Sequence, residues 1–411
     1  MKKIILSAAS LAVAAVASVS VVPTNAEAVP AFARQTGAAC LNCHFQVIPR
    51  LAAMGREFRA NGMVDASIDL IEDDHLSLPA TFGASVLFKA RMGTNDNNNN
   101  WDSGNSSAFQ YPDEAALLMG GRLGEHTGAL AEWAGGPLSY KVVQMFEAGD
   151  AMVGVVLAST DALGTAYAFN NPSNALVRNI RGSQFRPGFL RNSSVQQGVT
   201  GYGAYYSSDM IHVGVAQFIN NFEFNPSGPA GNAAMQLGQG LISFDLAWIG
   251  DVAGFDTVAS LYSITGTQKH KAESTIAGEA GTNANGAVEE YSETTTGVAL
   301  QMQGEVGDTL AGLYVVVQVA GEQKDNTGAV TADLTGFNLL GTYSINPSSL
   351  VKVGYSSTTD AAGATDVTND TIVIGAIYDL VQNFSLDLEY ASTTGDSPDN
   401  SSTTLLFEYV F

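Results

Sequence analysis

Cys40-Leu41-Asn42-Cys43-His44 places two thiols and an imidazole within five residues. Thiols at this spacing can add to the two vinyl groups of one porphyrin, and the imidazole that follows is then held under the ring as an axial ligand to iron. This is the attachment pattern of a c-type haem, and it predicts one covalently bound haem. Cys40 and Cys43 would be the thioether residues and His44 the proximal ligand. A redox dithiol would have no use for His44 and expects a βαβ setting. A structural zinc site would need a fourth ligand. The chain holds only 2 Cys, so no disulfide framework competes for them. The distal position is open to a histidine or to a methionine, which would raise the reduction potential. The candidates are His75 and Met63, with Met54 behind them. Their plain alternatives are a linker residue, plug packing and a helix core.

The segment that must hold this motif is short. Pro49 suits a first helical position, Leu51, Met54 and Phe58 recur at helical spacing, and Gly62 is a stop signal, which predicts a helix at about 49–61. Ahead of it, Lys2 and Lys3 precede an apolar stretch and an Ala26-Glu27-Ala28 cleavage pattern, so residues 1–28 read as an export signal. The expected organisation is a signal peptide at 1–28, a haem segment and linker at 29–78, and a β-rich remainder at 79–411. Residues 29–63 carry Arg34, Arg50, Arg56 and Arg59 against Glu57, a net of +3. Residues 64–411 carry 12 basic and 38 acidic side chains, a net of −26. Opposite signs attract strongly where water is scarce, so the charges favour a plug inside the remainder. The whole chain, at −22 with a pI near 4.4, lacks the basic face that nucleic acid requires. Its 45% apolar content excludes a disordered acidic chain.

From Pro79 onward the apolar period is two. Runs at 81–88, 198–207, 210–220, 235–250, 256–267, 297–306, 309–322, 336–346, 350–357, 371–380 and 384–392 are punctuated by Gly, Asn, Asp, Ser and Pro. About 16 strands are expected, many near the ~9–11 residues that cross a bilayer when tilted. Leu405, Phe407, Tyr409 and Phe411 fall on one face of a final alternating strand. Such a strand suits lipid on one side, and it resembles the assembly signal of bacterial outer-membrane barrels. The expected fold class is therefore all-β, a transmembrane outer-membrane barrel of antiparallel strands with a small N-terminal α-helical haem segment. A soluble all-β fold is the alternative. Long outer loops are expected at 95–112, 161–194, 221–233, 270–286 and 321–333. The second carries Arg178, Arg181, Arg186 and Arg191, which could enter the lumen or face lipopolysaccharide.

The run Val29-Pro30-Ala31-Phe32-Ala33-Arg34-Gln35-Thr36-Gly37, then CLNCH, Pro49, Leu51, Gly55-Arg56-Glu57-Phe58 and Asn61-Gly62 resembles the outer-membrane fused monohaem cytochrome–porins of iron-oxidising bacteria. The close likeness covers about 35 residues; Met54 and Met63 stand where that pattern leads one to expect aromatics. The resemblance implies an electron-transfer oxidoreductase of the iron:cytochrome type in the outer membrane. Its haem segment would sit on the periplasmic side or inside the barrel. Electrons would pass from extracellular Fe(II), or another donor, to a periplasmic carrier cytochrome. The excess of carboxylates would concentrate a divalent cation near the surface. The competing reading is a haem-plugged porin that gates or senses.

Overall fold

In the computed structural model the described residues are 30–47, 50–65, 70–73, 77–79, 83–95, 107–133, 138–160, 199–219, 240–271, 288–325, 327–381 and 383–411. The export signal therefore lies outside the described residues, as does the arginine-bearing stretch 161–194. Among the described residues three short helices precede the strands: α1 (Pro30–Thr36), α2 (Cys40–Cys43) and α3 (Ala53–Ala60). A small hairpin follows, β1 (Leu70–Glu72) with β2 (Ser77–Pro79). The remaining strands are β3 (Ala84–Asn95), β4 (Ser107–Gly124), β5 (Thr127–Trp133), β6 (Ser139–Ala148), β7 (Ala151–Thr160), β8 (Val199–Ser207), β9 (Ile211–Ile219) and β10 (Gly240–Val252). After them come β11 (Phe255–Lys271), β12 (Val288–Val306), β13 (Thr309–Lys324), β14 (Val330–Asn346), β15 (Ser349–Asp360), β16 (Val367–Val381), β17 (Phe384–Gly395) and β18 (Asn400–Val410). β3 to β18 form one closed antiparallel barrel of sixteen strands, each beside its neighbour in sequence. Closure comes from β18 on β3, with Val410 opposite Leu87 and Ser402 opposite Asn95. A closed ladder leaves no unpaired edge, as a bilayer core without water requires.

The barrel is inside-out relative to a soluble sheet. Along β10, Leu241, Ser243, Asp245 and Ala247 are buried while Ile242, Phe244, Leu246 and Trp248 are exposed. Across the wall, Lys141, Thr200, Asp245, Gln301, Asn338, Lys352, Asp387 and Thr404 are buried, whereas Val155, Val215, Leu339, Val353, Ile372 and Ile374 face out. Hydrocarbon is the only solvent in which this arrangement lowers free energy. On β18 the expected outward face alternates with buried Ser402, Thr404, Leu406 and Glu408, and Tyr409 and Phe411 are exposed. Ile374, mid-strand on β16 and 56% exposed, tests the assignment. Ile374→Arg should cost about 2–4 kcal/mol in urea titrations of vesicle-refolded protein. A loss below about 0.5 kcal/mol would mean that this face meets water.

Connections sort by length to opposite ends. Gly124 to Thr127, Ala148 to Ala151, Ser207 to Ile211, Val252 to Phe255, Val306 to Thr309, Asn346 to Ser349 and Val381 to Phe384 are tight. Those turns share one end with the start of β3 and the end of β18, which marks the periplasmic mouth. Two expected loops are shorter than the sequence suggests. Strand β4 already begins at Ser107, and Pro112 sits where the register slips between Lys89 opposite Glu114 and Arg91 opposite Gln110. A bulge tolerates a residue with no N–H to donate. The 321–333 loop shrinks to residues 325–329, because β13 runs to Lys324 and β14 starts at Val330. Asp325 Oδ1 closes that turn on the Thr327 and Ala329 amides at 2.8 and 3.1 Å. Polar Gly-Glu-Gln-Lys sequence hides a strand that the ladder completes.

Candidate functional site

The N-terminal segment circles the inside of the periplasmic mouth. At β3 and β4, the Ala31 amide donates to Ser85 Oγ (3.2 Å), Arg34 to the Ala84 carbonyl and Gln35 Nε2 to the Gly120 carbonyl (2.6 Å). The chain then carries α2 to the far wall, where Val47 packs on Leu350 and Ile377. There Gln46 Nε2 donates to the Leu310 carbonyl at 2.9 Å and to Ser344 Oγ at 3.0 Å. It returns past β12 (Gln301 Nε2 to the Leu51 carbonyl, 3.4 Å), β11 (Arg56 to Asp256) and β8 (Tyr205 hydroxyl to the Ala60 carbonyl). Met63 ends the circuit, buried with Phe58, Ala60, Val143, Val156 and Ala158. Most of these wall positions lie within a few residues of a tight turn, and Ala84 and Ser85 open β3, so the plug sits at the periplasmic end.

The chemistry-bearing residues fall on one compact unit. Helix α2 is a single turn from Cys40 to Cys43, and the His44 amide donates to the Cys40 carbonyl (2.8 Å). Cys40 is buried and Cys43 half-buried; neither is in a disulfide. Burial pushes the Cys43 thiol up, away from the thiolate that a bare metal site would need. An antiparallel bridge joins His44 to Leu51 and closes a small hairpin. That hairpin is why the expected helix at 49–61 begins only at Ala53; Pro49 lies outside the described residues. Gly55 lets α3 rest on α2, since a Cβ there would stand 2.1 Å from the Cys43 carbonyl oxygen.

His44 is nine-tenths buried and oriented. Its Nδ1 lies 3.2 Å from the Arg50 carbonyl, which also accepts the Phe45 amide at 3.0 Å. A carbonyl can only accept, so Nδ1 carries the hydrogen and Nε2 is the unprotonated nitrogen of the ring. This is the second-sphere arrangement of a metal-bound imidazole. Thiol spacing, imidazole tautomer and the burial of Cys40 and His44 together fit a c-type haem.

The three distal candidates separate. Met63 is 3% exposed and committed to the plug–wall cluster. Met54 stands on the open face of α3 with Ala53 and Glu57, 45% exposed. His75 lies outside the described residues. No three His, Cys, Asp or Glu side chains converge as a metal site among the described residues.

The plug's charge is spent on specific partners rather than on a diffuse field. Arg56, 3% exposed, donates from Nη2 to both carboxylate oxygens of Asp256 at 2.6 and 2.7 Å. Arg50, fully buried, lays its guanidinium over the Tyr314 ring, 3.9 Å from the centroid. Desolvation pulls the Arg50 guanidinium below its ordinary value, and Tyr314 opposes that shift. Residues 46, 50, 256 and 314 were not singled out by the sequence as site residues. Arg50 and Gln46 carry no motif, and their partners lie more than 200 positions away.

No family model matches the chain, and no curated protein matches it. Among solved structures it is similar to a loop-L8 deletion mutant of OmpT, an outer membrane protein of Vibrio cholerae. Identity is 12%, with 80% of this chain and 99% of that chain covered and a TM-score of 0.53. It is similar to the outer membrane channel DcaP of Acinetobacter baumannii, at 12% identity, 83% and 99% coverage and a TM-score of 0.50. OprB of Pseudomonas putida is a third, at 12%, 80% and 94% coverage and 0.50. At such identities the likeness is one of fold, and the fold is an outer-membrane β-barrel.

Proposed function

We propose that this chain is an outer-membrane electron-transfer protein that accepts electrons from extracellular Fe(II) or a similar reductant and delivers them to a periplasmic carrier cytochrome. This is the role implied by its resemblance to fused cytochrome–porins. The observation that carries the reading is Cys40, Cys43 and His44 gathered in the periplasmic mouth of a closed barrel, with His44 Nδ1 fixed on the Arg50 carbonyl. A c-type haem held there would supply one-electron redox chemistry. Cys40 and Cys43 would bond its vinyl groups, and His44 Nε2 would face its iron. Met54 has the room to serve as distal ligand, whereas Met63 would have to leave its packing. The plug and the wall exclude bulk water from the buried side of the site, and the acidic remainder draws divalent cations toward the barrel. Holoprotein in detergent, mixed anaerobically with Fe(II), should give the reduced haem spectrum; a persistently oxidised spectrum rejects Fe(II) as the donor.

The barrel's likeness to a channel such as DcaP favours a second reading, a haem-plugged porin that gates or senses. Conductance separates the two. In planar bilayers the wild-type protein should stay closed. Asp256→Asn should raise the open fraction about tenfold, because losing the ion pair costs the plug about 1–2 kcal/mol. That figure is below a fully buried pair's, since Asp256 is 30% exposed. Steady open conductance from the wild type would favour the porin.

A further inference from the structure

The hydrogen bond that orients His44 is anchored in the barrel wall. The accepting carbonyl belongs to Arg50, whose side chain is clamped from three strands. Its guanidinium stacks on Tyr314 of β13 at 3.9 Å, and Arg50 Nη1 reaches Gln46 Oε1 at 3.5 Å. Gln46 is itself fixed: Thr342 Oγ1 of β14 donates to its Oε1 at 2.7 Å, and its Nε2 holds Ser344 Oγ and the Leu310 carbonyl. Tyr314 is held in turn, its hydroxyl accepting from Gln303 Nε2 of β12 at 3.3 Å. Arg50 and Tyr314 are both fully buried, and Gln46 is nearly so. A cation on an aromatic face is strongest where it is desolvated.

We propose that Tyr314, with Thr342 acting through Gln46, is a positioning residue for the proximal histidine: the transmembrane wall sets the strength of the His44 Nδ1–Arg50 bond and so tunes the iron that His44 would hold. This rests on the haem reading above. The physical link is direct. A short, well-aligned Nδ1–H bond gives the imidazole more anionic character, and a more basic axial ligand stabilises the oxidised metal. Loosening the Arg50 carbonyl therefore makes the site easier to reduce. Barrel and plug would form one electronic unit.

The test is spectroelectrochemical titration of intact holoprotein, with covalent haem first quantified by mass analysis. Tyr314→Leu removes the aromatic face and should raise the reduced-to-oxidised ratio at fixed ambient potential on the order of tenfold, about 59 mV for one electron. Tyr314→Phe keeps the face but drops the hydroxyl's bonds to Gln303 and Arg50, and should shift in the same direction by less than Tyr314→Leu. Should Tyr314→Leu not assemble, Thr342→Val keeps the aromatic face, removes the Gln46 hydrogen bond together with the longer one to the Gly312 carbonyl, and should shift in the same direction by a smaller amount. An iron–histidine stretching frequency lowered in step with the potential shift across these variants would tie the effect to the proximal bond. Variants that carry full haem and titrate with wild type overturn the positioning role while leaving the haem reading standing. Absence of covalent haem from the wild-type protein overturns the haem reading itself.

Discussion

Exported Cys40→Ala/Cys43→Ala protein should carry no covalent tetrapyrrole and should fail to draw electrons from Fe(II), yet still assemble as a barrel. The all-or-none effect follows from the site's construction. The only thiols in the chain are these two, so no other residue can form the thioethers. They lie on one helical turn that touches the wall through other residues: Gln46 and Val47 on one side, Arg56 and Ala60 on the other. The plug's anchors therefore survive the double substitution. His44→Ala should retain attached porphyrin but lose the proximal ligand, seen as a high-spin spectrum and a reduction rate lower by at least about tenfold. The decisive measurement is the mass of the exported protein beside its heat-modifiable mobility on gels. A double variant still bearing haem would refute the assignment. One that fails to assemble at all would show that the haem segment nucleates the barrel rather than occupying it.

Lys352→Met should destabilise the barrel by about 3–5 kcal/mol, read as a lower urea midpoint for vesicle-refolded protein. Lys352 Nζ lies 3.0 Å from Asp387 Oδ1 and 2.7 Å from Glu389 Oε2, and all three side chains are fully buried. The lysine on β15 reaches β17 by crossing Gly375 of β16. A Cβ at 375 would meet Lys352 Cε at 2.5 Å. Removing the ammonium leaves two carboxylates in the dry inner wall, and the uncompensated charge dominates the cost. The triple variant Lys352→Met/Asp387→Leu/Glu389→Leu should recover most of the loss, since a well-packed apolar replacement of a buried ion cluster is often neutral. A single variant within about 0.5 kcal/mol of wild type would show that water reaches this cluster.

The barrel was legible because strand periodicity is local. Apolar alternation in 235–250, 309–322 and 336–346, together with the aromatic face of Leu405, Phe407, Tyr409 and Phe411, needs only neighbouring residues to be seen, and β10, β13, β14 and β18 follow it. Where the alternation is polar on both faces, as around 321–324, the strand becomes visible only through its partner. The helix boundary slipped for a similar reason. Pro49 and Leu51 have helical chemistry, but the bridge between His44 and Leu51 is a pairing across seven residues that no propensity records.

Two thiols and an imidazole in five residues, and the class of solvent the wall must face, are written in adjacent positions and can be read without any fold. Where that chemistry sits and what holds it depend on contacts between distant segments. The chain must circle the mouth before Arg50 meets Tyr314 and Arg56 meets Asp256. Those partners stand 264 and 200 positions apart, so only barrel closure, which fixes every strand's register at once, brings them within bonding distance.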